Sequence, residues 1–120
     1  MKERYSWVSF GKDVEKLTRL LGKRKKQFNS IWGPVRGGLP LAVCLSHRLG
    51  LRFVQKPTGK KTLIVDDIAD TGKTLQKFFD KGYFIATLYY HRQSTFKPQV
   101  WLREKEDKWI VFPWENPDEK

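Results

Sequence analysis

The feature that most constrains this chain is the segment over residues 62–74, TLIVDDIADTGKT. Its first four residues are apolar or β-branched, which is typical of a buried strand. Two carboxylates follow at Asp66 and Asp67, and then a Thr-Gly-Lys-Thr turn. We predict a strand over residues 62–65 and a helix over residues 71–81. A strand that passes through a polar turn into a helix is the building unit of α/β folds.

The rest of the chain repeats this alternation. Apolar spacing predicts helices over residues 10–21 and 39–49, each followed by glycine. Short apolar runs predict strands over residues 28–35, 84–90, 100–103 and 108–112, with a Lys-rich connection over residues 51–61. The expected architecture is one α/β domain spanning residues 1–120, with a mostly parallel, twisted sheet and helices on both faces. Ligands of such sheets bind beyond the carboxyl ends of the strands.

Composition bounds the class of protein. Hydrophobic residues make up 39% of the chain, which has five tryptophans, so it can bury a core despite its charge. It has no apolar run near the roughly 18 residues of a membrane span and no signal-peptide pattern, and we expect a cytoplasmic protein without membrane partners. Cys44 is the single cysteine, so no internal disulfide can form.

The chain is strongly basic. Its net charge is +11, with clusters at residues 23–26 and 56–61. Such a surface attracts polyanions, either nucleic acid or a small phosphorylated substrate steered into a cleft. Each cluster taken alone also fits an ordinary solvated surface.

The Asp70-Thr71-Gly72-Lys73-Thr74 turn suits a phosphate monoester. Its hydroxyls, its glycine and its successive backbone N–H groups form an anion cradle. A nucleotide P-loop is excluded, because that pattern requires glycine where Asp67 stands. Carboxylates are acceptors and suit the two hydroxyls of a ribose. A phosphate cradle beside two such acceptors describes a site for a ribose 5-phosphate.

Residues 65–74, VDDIADTGKT, closely resemble the 5-phosphoribosyl-1-pyrophosphate (PRPP) motif of type I phosphoribosyltransferases. The resemblance implies a Rossmann-like core of that family. It also implies that the ribose and its 5'-phosphate are held by Asp66, Asp67, Ala69, Asp70, Thr71, Gly72, Lys73 and Thr74. Val35, Arg36, Gly37 and Gly38 look like the pyrophosphate-binding turn of the same family, in which the peptide matching Val35-Arg36 is often cis.

Residues 108–115, KWIVFPWE, resemble the base-binding end of the bacterial and archaeal purine enzymes. The likeness implies that Trp109 stacks on the purine and that the backbone at Ile110 bonds its edge. Glu115 would help Asp66 and Asp67 hold Mg²⁺, the expected cofactor. Asp70 would be the catalytic acid or base beside the purine. The implied activity is salvage of guanine, hypoxanthine or xanthine with PRPP, by a homodimer or higher oligomer.

The chain departs from the family in two places. Relatives carry an extra strand pair with a mobile closing loop before the PRPP motif, where this chain has only residues 50–61. At the end of strand 84–90, 6-oxopurine enzymes place a Lys that contacts O6, whereas this chain has His91 and Arg92. Either residue is a candidate purine contact, or merely a polar residue leaving the strand. Two alternatives therefore stay open. One is a PRPP- or nucleotide-binding protein with weak or no catalysis, which would be regulatory or nucleic-acid-binding, and the other is a transferase for a non-purine acceptor.

Overall fold

The protein is represented by a computed structural model, and the structure is described for residues 1–116. The α-helices and strands are β1 Lys2–Arg4, α1 Trp7–Gly22, β2 Ser30–Trp32, α2 Gly38–Leu49, β3 Arg52–Phe53, β4 Thr62–Ala69, α3 Gln76–Asp80, β5 Ile85–Tyr90, β6 Val100–Glu104 and β7 Trp109–Val111, and a short 3-10 helix covers Lys25–Gln27. Five strands form one sheet in the order β3-β2-β4-β5-β6, and all of its pairs are parallel. The predicted α/β fold with a parallel sheet is confirmed.

Helices cover both faces of this sheet. Alternate residues of each strand point to opposite faces, so a strand that is apolar throughout needs helices packed on both. On one face, Leu63 and Val65 of β4 join a core with apolar residues of α1 and α2. On the other face, Ile64 packs with Leu75 and with Phe79 of α3. β4, the middle strand, is thus buried on both sides and carries the polar residues at its end into the interior.

Local signals set the ends of the two long helices. The Ser6 hydroxyl accepts a hydrogen bond from the backbone N–H of Ser9 at 3.0 Å, so α1 begins at Trp7 instead of the predicted residue 10. α2 ends at Gly50, whose φ of 67° gives the left-handed termination that glycine adopts readily. No helix within residues 1–116 has the length and apolar character needed to cross a membrane.

Besides the start of α1, five predicted segments need correction. β2 and α3 are shorter than the predicted ranges 28–35 and 71–81, and β4 is longer than 62–65. The connection over 51–61 contains the edge strand β3. β7 lies outside the main sheet and pairs in parallel with β1, which the sequence did not predict. Both unpredicted strands have at most three residues, too few to show a period-two pattern.

Candidate active site

The acidic pair lies in the second half of β4. Asp66 is only 9% exposed, and its Oδ1 accepts a hydrogen bond from the backbone N–H of Asp67 at 2.8 Å. Burial, aided by the charge of Asp67, raises the pKa of Asp66 well above its usual range. Burial also raises the pKa of Asp67, and the nearby charge of Glu115 acts in the same direction. A buried carboxylate beside a partly buried one favours a partner that donates hydrogen bonds or brings positive charge.

Residues 70–75 form a turn before α3, which begins only at Gln76. Gly72 has a φ of 86°, and the Thr71 carbonyl accepts a hydrogen bond from the Thr95 backbone instead of from a helical N–H. The predicted anion cradle is therefore a backbone turn and not the start of a long helix. Its N–H groups can still converge on an anion. The turn opens into a cavity of about 200 Å³ lined by residues 66–75 and Phe96.

The second glycine turn lies directly against the end of β4. The Val35-Arg36 peptide is cis, as the family resemblance implies. A Cβ at Gly37 would overlap the carboxylate of Asp67, and a Cβ at Gly38 would lie 2.7 Å from the Val65 carbonyl oxygen. Both glycines thus let the backbone of this turn approach the acidic pair closely. The two motifs that the sequence places thirty residues apart form one site.

Asp70 makes two side-chain contacts with later parts of the chain. Its Oδ1 accepts from Gln93 Nε2 at 2.9 Å, and its Oδ2 accepts from Lys105 Nζ at 3.2 Å. The Lys105 side chain is only 13% exposed, and its backbone N–H is bonded to the carbonyl of Tyr90 at the end of β5. Sequence reasoning missed Lys105, since it lies in the polar stretch after an edge strand and no motif marks it.

A second cavity, of about 130 Å³, adjoins the first. Trp109 lines this cavity and is 50% exposed. Lys105 Nζ lies 5.7 Å from the centre of the Trp109 ring. This cavity brings together five of the predicted site residues with the unpredicted Lys105. Its lining consists of Asp67, Ile68, Asp70, Lys105, Trp109, Ile110, Phe112 and Glu115.

The structure does not bring the other two predicted purine contacts to this cavity. Arg92 is 87% exposed in its side chain and pairs with Glu104 at 3.1 Å. His91 Nδ1 accepts a hydrogen bond from the backbone N–H of Gln93, and the ring faces a wider depression beside the cavity. Lys105, just after β6, supplies the cation that lines this cavity, and His91 and Arg92, just after β5, do not.

The donors available for Mg²⁺ are few. Glu115 accepts from the backbone N–H of Phe112 at 2.9 Å, and no group of three or more metal-ligating side chains occurs within residues 1–116. Asp66 and Asp67 provide one adjacent carboxylate pair. That donor set fits Mg²⁺, which is commonly held by one or two carboxylates together with substrate phosphates.

Residues 54–119 match the model of the phosphoribosyl transferase domain. The chain is similar to a purine phosphoribosyltransferase from Pyrococcus horikoshii, with 31% identity and a TM-score of 0.82 over 96% of this chain and 94% of the other. The xanthine-guanine-hypoxanthine phosphoribosyltransferase of Helicobacter pylori has the same fold at 23% identity, a TM-score of 0.78 and the same coverage. The orotate phosphoribosyltransferase of Aeropyrum pernix shares the fold at 20% identity, with a TM-score of 0.62 over 82% of this chain and 72% of its own.

Proposed function

The chain belongs to the phosphoribosyl transferase family and is a phosphoribosyltransferase, and we propose that it transfers the 5-phosphoribosyl group of PRPP to a 6-oxopurine. The products are a nucleoside monophosphate and pyrophosphate. One observation carries the proposal: the cavity at the phosphate turn and the cavity beside Trp109 share a wall made by Asp67, Ile68 and Asp70. A ribose lying across that wall would have its phosphate in the first cavity and its C1 facing the second.

The position of each substrate group follows from the donors and acceptors around it. The 5'-phosphate accepts hydrogen bonds from the turn at residues 71–74, including the hydroxyls of Thr71 and Thr74. The ribose hydroxyls donate to Asp66 and Asp67, which removes the cost of their buried charge. The pyrophosphate lies against the turn over residues 35–38, close to Asp67.

The reaction exchanges two bonds at ribose C1. The bond from C1 to the pyrophosphate oxygen breaks, the pyrophosphate leaves with the electron pair, and a purine ring nitrogen forms the new bond. The positive charge that develops on the sugar is stabilised by Asp66 and Asp67. The proton that the purine gives up passes to Asp70, which lies at the junction of the two cavities.

The proposed choice of base rests on Lys105. A protonated lysine has three donors and no acceptor, so it can bond a 6-oxo group but not a 6-amino group. Its Nζ lies 3.2 Å from Asp70 Oδ2 and 5.7 Å from the centre of the Trp109 ring, so a purine stacked on Trp109 would have its six-membered ring within reach of the ammonium group. A site that leaves a donor facing another donor rejects that substrate strongly. This arrangement supports guanine, hypoxanthine or xanthine over adenine.

Magnesium ion is the proposed cofactor. Asp66 and Asp67 would hold it together with the phosphates of PRPP, and Glu115 lies near enough to Asp67 to contribute through its charge. When bound, the ion neutralises the leaving pyrophosphate.

One structural feature favours a second candidate, a PRPP- or nucleotide-binding protein with weak catalysis. β3 is an edge strand of two residues, and the chain returns from it to β4 by residue 62 without an additional strand pair. Closing segments exclude water from reactive sugar cations, and their loss lowers the rate.

The test is a turnover assay. The protein is incubated with Mg-PRPP and, separately, with guanine, hypoxanthine, xanthine, adenine and orotate, and the released pyrophosphate and the nucleotide are both measured. The proposal expects nucleotide from at least one of the three 6-oxopurines and little from adenine or orotate. Pyrophosphate release without nucleotide, or PRPP binding without turnover, supports the second candidate instead.

A further inference from the structure

One dense group of lysines lies away from the proposed active site. Because the strands of the main sheet are all parallel, their amino termini lie together at one end of the sheet and their carboxyl termini at the opposite end. The phosphate turn and Trp109 lie at the carboxyl end. The amino end carries a set of exposed lysines that we call the basic face: Lys23, Lys25, Lys26, Lys60, Lys61 and Lys81.

Contacts between segments bring these lysines together. The backbone N–H of Asn29 donates to the carbonyl of Lys61 at 3.0 Å, which joins the 23–26 cluster to the start of β4. The guanidinium of Arg24 lies 5.4 Å from the centre of the Phe84 ring, next to the start of β5. Lys81 directly follows α3 and lies at the same end of the sheet. Two clusters that are separate in the sequence therefore form one surface.

The basic face has little acidic compensation. Within residues 1–116, none of its six lysines forms an ion pair. The acidic residue closest to them in the sequence is Asp80, which directly precedes Lys81. Its carboxylate accepts a hydrogen bond from the side chain of Gln76. Most other carboxylates lie at the carboxyl end of the sheet: Asp66, Asp67, Asp70, Glu104, Glu106, Asp107 and Glu115.

The active site does not account for this surface. β4 has eight residues, so at about 3.3 Å per residue roughly 25 Å separates Lys61 from the phosphate turn. A charge at that distance is well beyond the Debye length of about 8 Å at physiological salt. Steering of PRPP therefore cannot be the main effect of the basic face.

We propose that the basic face binds the phosphate backbone of a nucleic-acid duplex, as a second function of the molecule. Lysine ammonium groups are point charges that match phosphates without reading base edges, so binding should not depend on sequence. Single strands usually also need exposed aromatic rings for stacking. Of the exposed aromatic residues of the described chain, Trp7 and Trp109 are not on this face, and Phe53 is a single ring on the edge strand β3. An acidic membrane surface is disfavoured, because amphipathic membrane binding adds buried apolar contacts to the charge attraction.

The experiment measures fluorescence anisotropy of labelled 20-base-pair DNA and RNA duplexes, of about the length one domain can contact, between 50 and 300 mM NaCl. We expect binding whose affinity falls steeply with salt and is equal for two unrelated sequences. The double variant Lys26→Glu, Lys61→Glu should weaken binding at least tenfold at about 100 mM salt and make the salt slope shallower by about two units. The two duplexes distinguish RNA from DNA as the preferred backbone.

The matched control is the double variant Lys12→Glu, Lys16→Glu, which loses the same charge from exposed positions on α1. It should bind nearly as well as the unmodified protein. Equal weakening in both variants, or no salt-dependent binding at the lowest salt, would overturn the proposal. Stronger binding to phosphatidylserine vesicles than to either duplex would also overturn it. Transferase turnover should be unchanged in both variants, so this proposal can fail while the proposed activity stands, or the reverse.

Discussion

Lys105 Nζ lies 3.2 Å from Oδ2 of Asp70, although 35 positions separate the two residues in the chain. The contact joins the end of β6 to the turn that follows β4, and β5 lies between these strands in the sheet. The proton acceptor of the proposed catalytic step and the lysine proposed to contact the purine are therefore held as a pair. A purine that enters the cavity can replace the contact with one hydrogen bond to each partner.

Substitution of Lys105 by methionine should change the choice of base. Without the ammonium group, the hydrogen bond to the 6-oxo group is lost, and kcat/KM for hypoxanthine should fall about 30-fold, or ~2 kcal/mol. The value for adenine should not fall. Steady-state kinetics with both bases test this, with His91→Ala as the control that leaves their ratio unchanged. An equal loss for both bases would show that Lys105 has only a structural role.

Substitution of Asp70 by asparagine should separate chemistry from binding. The variant keeps an acceptor for Lys105 but cannot take up the proton, so kcat should fall about 100-fold. Affinity for PRPP, measured by calorimetry without base, should remain close to that of the unmodified protein. If affinity fell as far as kcat, Asp70 would be a binding residue and not the proton acceptor.

Gly37→Ala should weaken PRPP binding without unfolding the protein. The φ of Gly37 is −70°, which alanine adopts freely, but its Cβ would overlap the Asp67 carboxylate. We expect KM for PRPP to rise about tenfold, which corresponds to ~1.4 kcal/mol. Gly11→Ala is the control: nothing lies within 4 Å of its Cβ. That change should stabilise α1 by about 0.5 to 1 kcal/mol and leave KM unchanged. An unchanged KM in Gly37→Ala would contradict the proposed role of the turn.

Asp66→Asn should stabilise the ligand-free protein in a pH-dependent way. Burial raises the folded-state pKa of Asp66, so the folded state holds its proton more tightly than the unfolded state does. Stability from this group is therefore present below the unfolded pKa of about 3.9 and is lost as the pH rises through the folded pKa. The variant should melt about 5 °C higher than the unmodified protein at pH 8, with little difference at pH 4. Thermal melts of both proteins at both pH values test this prediction. A melting temperature of Asp66→Asn below that of the unmodified protein at pH 8 would contradict it.

Arg103→Met should destabilise the fold through its partner. Asp13 is fully buried, accepts from the Tyr5 hydroxyl at 2.6 Å, and accepts from two Arg103 nitrogens at 2.8 and 3.1 Å. Loss of the guanidinium leaves the buried Asp13 carboxylate with one hydrogen-bond donor. Because Arg103 is partly exposed, we expect the free energy of unfolding to fall by about 2 kcal/mol, less than for a fully buried pair. Urea unfolding should show this loss. Arg92→Met removes an exposed ion pair and should cost no more than about 0.5 kcal/mol; similar values for both variants would contradict the prediction.

Much of the fold was readable from residues 62–74 and from the alternation of apolar runs. A strand buried on both faces needs a continuous apolar run, and 62–65 supplies one, so the position of β4 and the parallel sheet around it followed. β1 and β3 could not be found in this way. Their short segments form strands only because β7 and β2 offer them hydrogen-bond partners.

The sequence by itself determined the residue types of the phosphate turn, the acidic pair and the two glycines beside them, because local spacing decides which side chains share a turn. Tertiary structure alone decided that Lys105 and Gln93 contact Asp70 and that Arg92 pairs with Glu104. It also decided that the lysine clusters form one face at the amino end of the sheet. Each of these depends on which strands are neighbours and in what register. That information lies in long-range pairing and not in the spacing of residues along the chain.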